Sequence, residues 1–119
     1  MDAITEKENT IKEKLKNLGH TVVAEATNGS EALDRYKETL PDFVTMDITM
    51  PEVNGVKNGI DALKLIHEFD PSATVIMLTS HGEEKLVIEA ITLGAKGYIL
   101  KPVNEEKIKQ VLDKLVYIM

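Results

Sequence analysis

The sequence predicts an α/β domain, a parallel β-sheet covered by helices on both faces. Two observations carry that prediction. The apolar period switches repeatedly between strand-like and helix-like runs, and alternation of this kind places crossover helices between parallel strands. The strand-like runs, above all ATVIMLTS (73–80), are apolar at consecutive rather than alternate positions, so they require cover on both faces. With 119 residues, 43% of them hydrophobic, the chain is long enough for one domain with a real core and too short for two.

Taken in order, Ile4, Ile11, Leu15 and Leu18 fall on one helical face and Gly19 supplies the stop, which predicts a first helix. TVVAEA (21–26) is short and β-branched, hence a strand. NGSEALDRYKETL (28–40) opens with a turn, places Asn28 and Glu31 as a capping box, and carries Leu33, Tyr36 and Leu40 at helical spacing. DFVTMD (42–47) is a strand, and IDALKLIHEF (60–69) is a helix that Asp70-Pro71 terminates. ATVIMLTS is the next strand, EEKLVIEAITLG (83–94) a helix, KGYIL (96–100) a strand. NEEKIKQVLDKLVY (104–117) is the last helix, with Asn104 at its N-cap and Ile108, Val111, Leu112 and Leu115 facing inward.

Composition limits the chemistry. A formal net charge of −6 offers no broad cationic field for phosphate backbones, so no nucleic-acid partner is expected. There are no cysteines, which removes disulfides, thiolate nucleophiles and Cys-type zinc sites together. No apolar run approaches the roughly 20 residues a membrane span requires, and the charged start MDAITEKENTIKEKLKN is no secretory leader, so no membrane association and a cytoplasmic location are the default expectations. His20, His67 and His81 lack metal-ligand spacing, and His67 reads as an exposed helix residue. GAKG (94–97) lacks the Gly-Lys-Ser/Thr ending of a phosphate loop and reads as a helix stop and turn.

In open parallel sheets, ligands bind outside the carboxyl ends of the strands. Three successive strands here end in polar groups: VTMD in Asp47, VIMLTS in Thr79 and Ser80, YILK in Lys101. Singly, each residue reads as a cap or a solvated side chain. Together they bring a carboxylate, a hydroxyl and an ammonium to one edge of a sheet. That edge is the candidate site.

With TMDITMPEVNG, VIMLTS and GAKGYILKP in this order, the sequence resembles the receiver domains of two-component response regulators, most closely the CheY-like single-domain chemotaxis type. The resemblance spans about residues 3 to 116 and implies a flavodoxin-like, doubly wound sheet of strand order 2-1-3-4-5. It implies that Asp47 accepts a phosphoryl group from a sensor histidine kinase with Mg²⁺ as cofactor, that Thr79 is the switch hydroxyl, and that Lys101 contacts the phosphoryl oxygens. Tyr98 matches the aromatic switch, Thr49 and His81 the positions that tune hydrolysis. A cis peptide is implied between Lys101 and Pro102. Mg²⁺ prefers octahedral oxygen coordination, for which the Asp47 carboxylate, the Thr49 backbone carbonyl and one further acid would serve. A receiver promotes its own phosphorylation and dephosphorylation and turns over no separate substrate. Its output is altered binding of a downstream signalling protein, through the helix near 83–93, the last strand and the last helix.

Two departures from the family pattern stand out. A receiver opens with an apolar first strand ending in an acidic pair, whereas this chain opens MDAITEKE, so the first strand is expected to be missing, the domain N-terminally incomplete, and Asp2 the remaining acidic metal ligand. The sheet would then rest on a start lying further upstream, on direct pairing of TVVAEA with DFVTMD, or on another segment such as LVYIM (115–119) filling the slot, in one chain or in a homodimer or strand-swapped oligomer. The second departure is about four additional residues, 56–59, after Gly55 in NGVKNGID, which lengthen the approach to the third helix. Two other classes remain: a degenerate receiver acting as a phosphorylation-independent interaction module, and a nucleotide- or flavin-binding protein of similar layering, which the absence of a glycine-rich first turn opposes.

Overall fold

The computed structural model describes residues 1–7 and 9–118. Among the described residues five strands alternate with five helices: β1 (Asp2–Glu6), α1 (Asn9–Asn17), β2 (Thr21–Ala26), α2 (Gly29–Thr39), β3 (Phe43–Asp47), α3 (Gly59–Phe69), β4 (Val75–Thr79), α4 (Glu84–Thr92), β5 (Gly97–Leu100) and α5 (Glu105–Ile118). All strand pairings are parallel and the order is β2-β1-β3-β4-β5. This is the flavodoxin-like, CheY-like doubly wound sheet.

The expectation of a missing first strand is corrected. Residues Asp2–Glu6 form β1, which pairs with β2 from Asp2↔Thr21 to Glu6↔Ala26 and with β3 at Ala3↔Phe43 and Ile4↔Val44. Ile4 therefore belongs to the sheet and not to the first helix, which begins at Asn9. The cause is tertiary. Without β1, the inner edges of β2 and β3 would bury rows of unpaired N–H and C=O groups, and five residues suffice to satisfy them. Ala3, Ile4 and Thr5 are accordingly almost wholly buried, at 0%, 1% and 1% exposure. With the slot filled, neither β2–β3 pairing nor a swapped strand is required. Val116–Ile118 of the segment LVYIM continue α5, and Met119 lies outside the described residues.

Consecutive strand residues point to opposite faces and both faces are covered. Ala3, Phe43, Ile76, Leu78 and Ile99 pack against Ile11 and Leu15 of α1 and Ile108 and Leu112 of α5. Ile4, Val44, Met46, Val75 and Met77 pack against Ala32 and Tyr36 of α2, Leu63 and Ile66 of α3, and Ala90 of α4. Helix ends follow the local chemistry. Asn28 caps α2 by accepting from Glu31 N–H, while Glu31 accepts in return from Thr27 N–H. Asn104 accepts from Lys107 N–H at the start of α5.

Residues 56–59, expected to lengthen the approach to α3, form an ordered entry to that helix. Val53 and Val56 pair across a turn whose Asn54 and Gly55 both have positive φ (54° and 81°), the conformation an Asn-Gly turn adopts readily. Val56 is buried in the core, and Asn58 caps α3 by accepting from Ile60 and Asp61 N–H while Asp61 accepts from Lys57 N–H. His67, expected on an exposed face, is half-buried: its ring packs so closely on Gly94 that a Cβ there would lie 2.3 Å from it.

Candidate functional site

Because all strands run the same way, their C-terminal ends share one edge, and that edge gathers the polar side chains. Asp47, the last residue of β3, pairs with Leu78, so Thr79 lies one residue further on the neighbouring strand. Thr79 pairs with Leu100 of β5, and the following Lys101 N–H donates to the Thr79 carbonyl at 2.7 Å. The register thus brings carboxylate, hydroxyl and ammonium onto adjacent strand ends.

Asp47 is 5% exposed and its Oδ1 lies 2.7 Å from Lys101 Nζ. Oδ1 makes no aligned hydrogen bond; the ammonium facing it is its compensation, as a buried charge requires. Lys101 is partly exposed, its side chain at 36%, so the pair sits at the mouth of the edge with the anion inside and the cation toward solvent. The Lys101–Pro102 peptide is cis.

Asp2 does not reach this site. It begins β1 and lies at the opposite end of the sheet, where its N–H donates to Asp42 Oδ2 at 2.6 Å and its carbonyl accepts from Asp42 N–H at 2.8 Å. Four residues of strand, roughly 13 Å at the usual rise, separate it from the edge that carries Asp47. The acid at the correct end of β1 is Glu6, whose Oε1 accepts the backbone N–H of Asp47. Sequence reasoning missed Glu6 because it assigned the segment to a helix; had DAITE been taken as a strand, its terminal acid would have matched the ends of the other three.

Glu83 was missed too. It lies immediately before α4, and its Oε1 accepts Ser80 N–H at 2.6 Å and stands 3.3 Å from the Thr79 hydroxyl, while Oε2 accepts the Thr49 hydroxyl at 2.8 Å. Partial burial works to raise its pKa. The hydrogen bonds from Ser80, Thr49 and Thr79, with the nearby Lys101 charge, outweigh burial and hold the carboxyl below the usual range. An acid four residues beyond the strand-end hydroxyl was its only sequence signal.

Beside this edge, Thr79, Ser80, His81, Val87, Ile91 and Tyr98 help line a groove of about 500 Å³ between α4 and β5. Tyr98 is 52% exposed, its ring outward along the groove wall. Among the described residues no cluster of three or more His, Cys, Asp or Glu is arranged for a metal ion, and no helix is long and apolar enough to cross a membrane.

The family model for the response regulator receiver domain matches residues 4–113. The chain belongs to the response-regulator receiver family. The receiver is 47% identical to the chemotaxis protein CheY of Thermotoga maritima over 105 residues, covering 88% of this chain and 84% of that protein. It is 46% identical to CheY of Bacillus subtilis over 104 residues, covering 87% and 83%. Among solved structures, a CheX–CheY–BeF3–Mg²⁺ complex from Borrelia burgdorferi superposes with a TM-score of 0.86 at 32% identity, covering 97% of this chain and 87% of that one. Receivers are phospho-accepting signalling domains rather than metabolic enzymes. They commonly bind Mg²⁺ and act between histidine kinases and downstream proteins.

Proposed function

We propose that this receiver accepts a phosphoryl group on Asp47 and promotes that transfer itself. The observation that carries the reading is the buried Asp47 carboxylate with Lys101 Nζ 2.7 Å away, on the strand edge that also bears Thr79. In the reaction a carboxylate oxygen of Asp47 attacks phosphorus, the bond to the donor's leaving group breaks, and an acyl phosphate forms. Lys101 is placed to follow the charge from the carboxylate to the phosphoryl oxygens. The Thr79 hydroxyl would bond the new oxygens, and Tyr98 would turn inward toward the space it leaves, altering the groove beside α4 that a downstream protein reads. Thr49, two residues after the acceptor, and the exposed His81, two residues after Thr79, would tune the hydrolysis rate.

The donor set suits Mg²⁺, since it is all oxygen: the Asp47 and Glu6 carboxylates and the Thr49 backbone carbonyl. Support for that fit lies in Glu6, whose carboxylate already touches the Asp47 backbone, and in the buried Asp47 Oδ1 that makes no aligned hydrogen bond. Glu6 takes the role assigned from sequence to Asp2. When bound, the ion supplies positive charge for the transferring phosphoryl oxygens. A sensor histidine kinase is the physiological donor this reading implies, and a small acyl phosphate can substitute for it.

The test is intact-mass measurement after incubation with acetyl phosphate and Mg²⁺. The parent is expected to gain one phosphoryl group and Asp47→Asn none; a parent that gains none overturns the proposal.

A further inference from the structure

Glu83 has no part in the reaction as written above, yet its carboxylate faces three donors, the Thr49 and Thr79 hydroxyls and the Ser80 N–H. Its two oxygens take donors from two separate loops. Thr49 belongs to the connection from β3 to α3, whereas Thr79 and Ser80 lie at the end of β4 and the start of the connection to α4. Glu83 itself occupies the N-cap position just before α4, where it makes no side-chain cap bond to its own helix. One carboxylate therefore ties together the loop after the acceptor strand, the strand-end hydroxyl and the helix that walls the Tyr98 groove.

That tie competes with phosphorylation in two ways. A hydroxyl carries a single proton, so Thr79 cannot fully donate to Glu83 and to a phosphoryl oxygen on Asp47 at once. A phosphoryl group on Asp47 also adds negative charge beside a carboxylate, in a partly buried edge where like charges are poorly screened. Lys101, already within electrostatic reach of Glu83, would be drawn toward the phosphoryl group instead.

We propose that Glu83 is a positioning residue that opposes the switch: its carboxylate holds Thr79 and Thr49 in the unphosphorylated arrangement, and the tie must break before Thr79 can bond a phosphoryl group. This rests on Asp47 being the acceptor. The consequence is that the chain stores part of its resistance to activation at one side chain outside the reacting group. Breaking the tie also frees the first turn of α4, which couples occupancy of Asp47 to the groove between α4 and β5.

The test uses the full chain with Mg²⁺ and beryllofluoride as the phosphoryl mimic, affinity being read by heteronuclear NMR titration. Glu83→Ala removes both charge and acceptor; Glu83→Gln keeps an acceptor of the same length without charge; Glu83→Asp keeps the charge but is too short to span both loops. Glu83→Ala is expected to bind the mimic roughly tenfold more tightly than the parent, the scale of one charge-assisted hydrogen bond, and Glu83→Gln and Glu83→Asp, each of which keeps one of the two opposing features, to fall between. The amide signals of the first turn of α4 should start nearer their mimic-bound positions in Glu83→Ala before any ligand is added, which a merely structural role would not produce. A parent that binds the mimic while Glu83→Ala and Glu83→Gln bind it no more tightly overturns the proposal on its own. A parent that neither binds the mimic nor gains mass from acetyl phosphate removes the acceptor reading and this one with it.

Discussion

Replacing Gly59 with alanine separates helix propensity from the needs of the site. Gly59 is the first residue of α3, and its N–H donates to the Ile48 carbonyl at 2.8 Å, seating the helix start on the chain just past Asp47. In an open helix Gly→Ala stabilises by about 0.5–1 kcal/mol. Here a Cβ would lie 1.9 Å from the Asp47 carbonyl oxygen, 2.9 Å from its carbon and 3.2 Å from Ile48 Cα. The first contact is about 1.5 Å short of ordinary van der Waals distance, and all three neighbours are backbone, so no side chain can swing aside. Relief requires α3 to lift from β3, at the ~1–3 kcal/mol typical of overpacking, plus about 1 kcal/mol for the strained Gly59–Ile48 bond. Net of propensity, Gly59→Ala should cost about 2 kcal/mol by denaturant unfolding. The displaced backbone is that of the acceptor itself, and a misplacement near 1 Å can lower a reaction rate about a hundredfold. Gly55→Ala is the control. It has nothing within 4 Å but a φ of +81°, so it should cost about 1–2 kcal/mol and leave phosphorylation unchanged. If Gly59→Ala were as stable as the parent and gained mass from acetyl phosphate at the same rate, the reasoning would be refuted.

Other expectations follow from single contacts. Glu6→Gln should weaken Mg²⁺ binding roughly tenfold in an NMR or calorimetric titration, while Asp2→Asn, at the other end of the strand, should leave it unchanged; the reverse ranking would return the metal site to Asp2. The buried Thr45 hydroxyl donates to the Thr5 hydroxyl at 2.6 Å, so Thr5→Val and Thr45→Val should each cost about 1–2 kcal/mol and the double variant less than their sum; additive losses in a double-mutant cycle would deny the pair its coupling. Asp70 is held below its usual range by the Ser72 hydroxyl and next by the Tyr36 hydroxyl, which donates to Asp70 Oδ2 at 2.7 Å. A lowered folded pKa contributes stability that is present above the unfolded value and lost as pH falls through the folded one. Tyr36→Phe should therefore show its larger stability deficit at about pH 7 and a smaller one at about pH 3, and equal deficits at both would contradict the assignment. Lys101→Met should leave the Asp47 carboxylate buried without its cation and lower stability by about 1–2 kcal/mol, discounted for the exposure of the lysine; Asp47→Asn in that background should recover part of the loss, and no recovery would mean the pair is not what Lys101 contributes.

Four of the five strands and the strand-end triad were legible because their signals are local. VIMLT is apolar on consecutive positions until its last residue and FVTMD is broken only by Thr45 before its closing acid, the pattern of short strands covered on both faces, and a polar residue closing each run marks the edge where ligands bind. Once parallel order is granted, register does the rest: Asp47, Thr79 and Lys101 must meet because their strands end together. The capping box at Asn28 and the N-cap at Asn104 were readable for the same reason, each being settled within a few residues.

The sequence by itself determined the alternation of strand and helix, the burial of the sheet on both faces, and which three side chains stand at the ends of β3, β4 and β5. Tertiary structure decided β1. DAITE is five residues with two acids, followed by a lysine-rich helix, and Ile4 lies seven residues before Ile11, a spacing a helix also satisfies. What makes it a strand is the pair of unsatisfied edges on β2 and β3, a demand that exists only after those strands are in place. The same contact over distance decided that Glu6 rather than Asp2 stands beside Asp47, and that Glu83 bridges Thr49 and Thr79. Groups 34 and 41 residues apart in sequence meet only when separate strands have been brought to one edge, and no periodicity in the chain records that meeting.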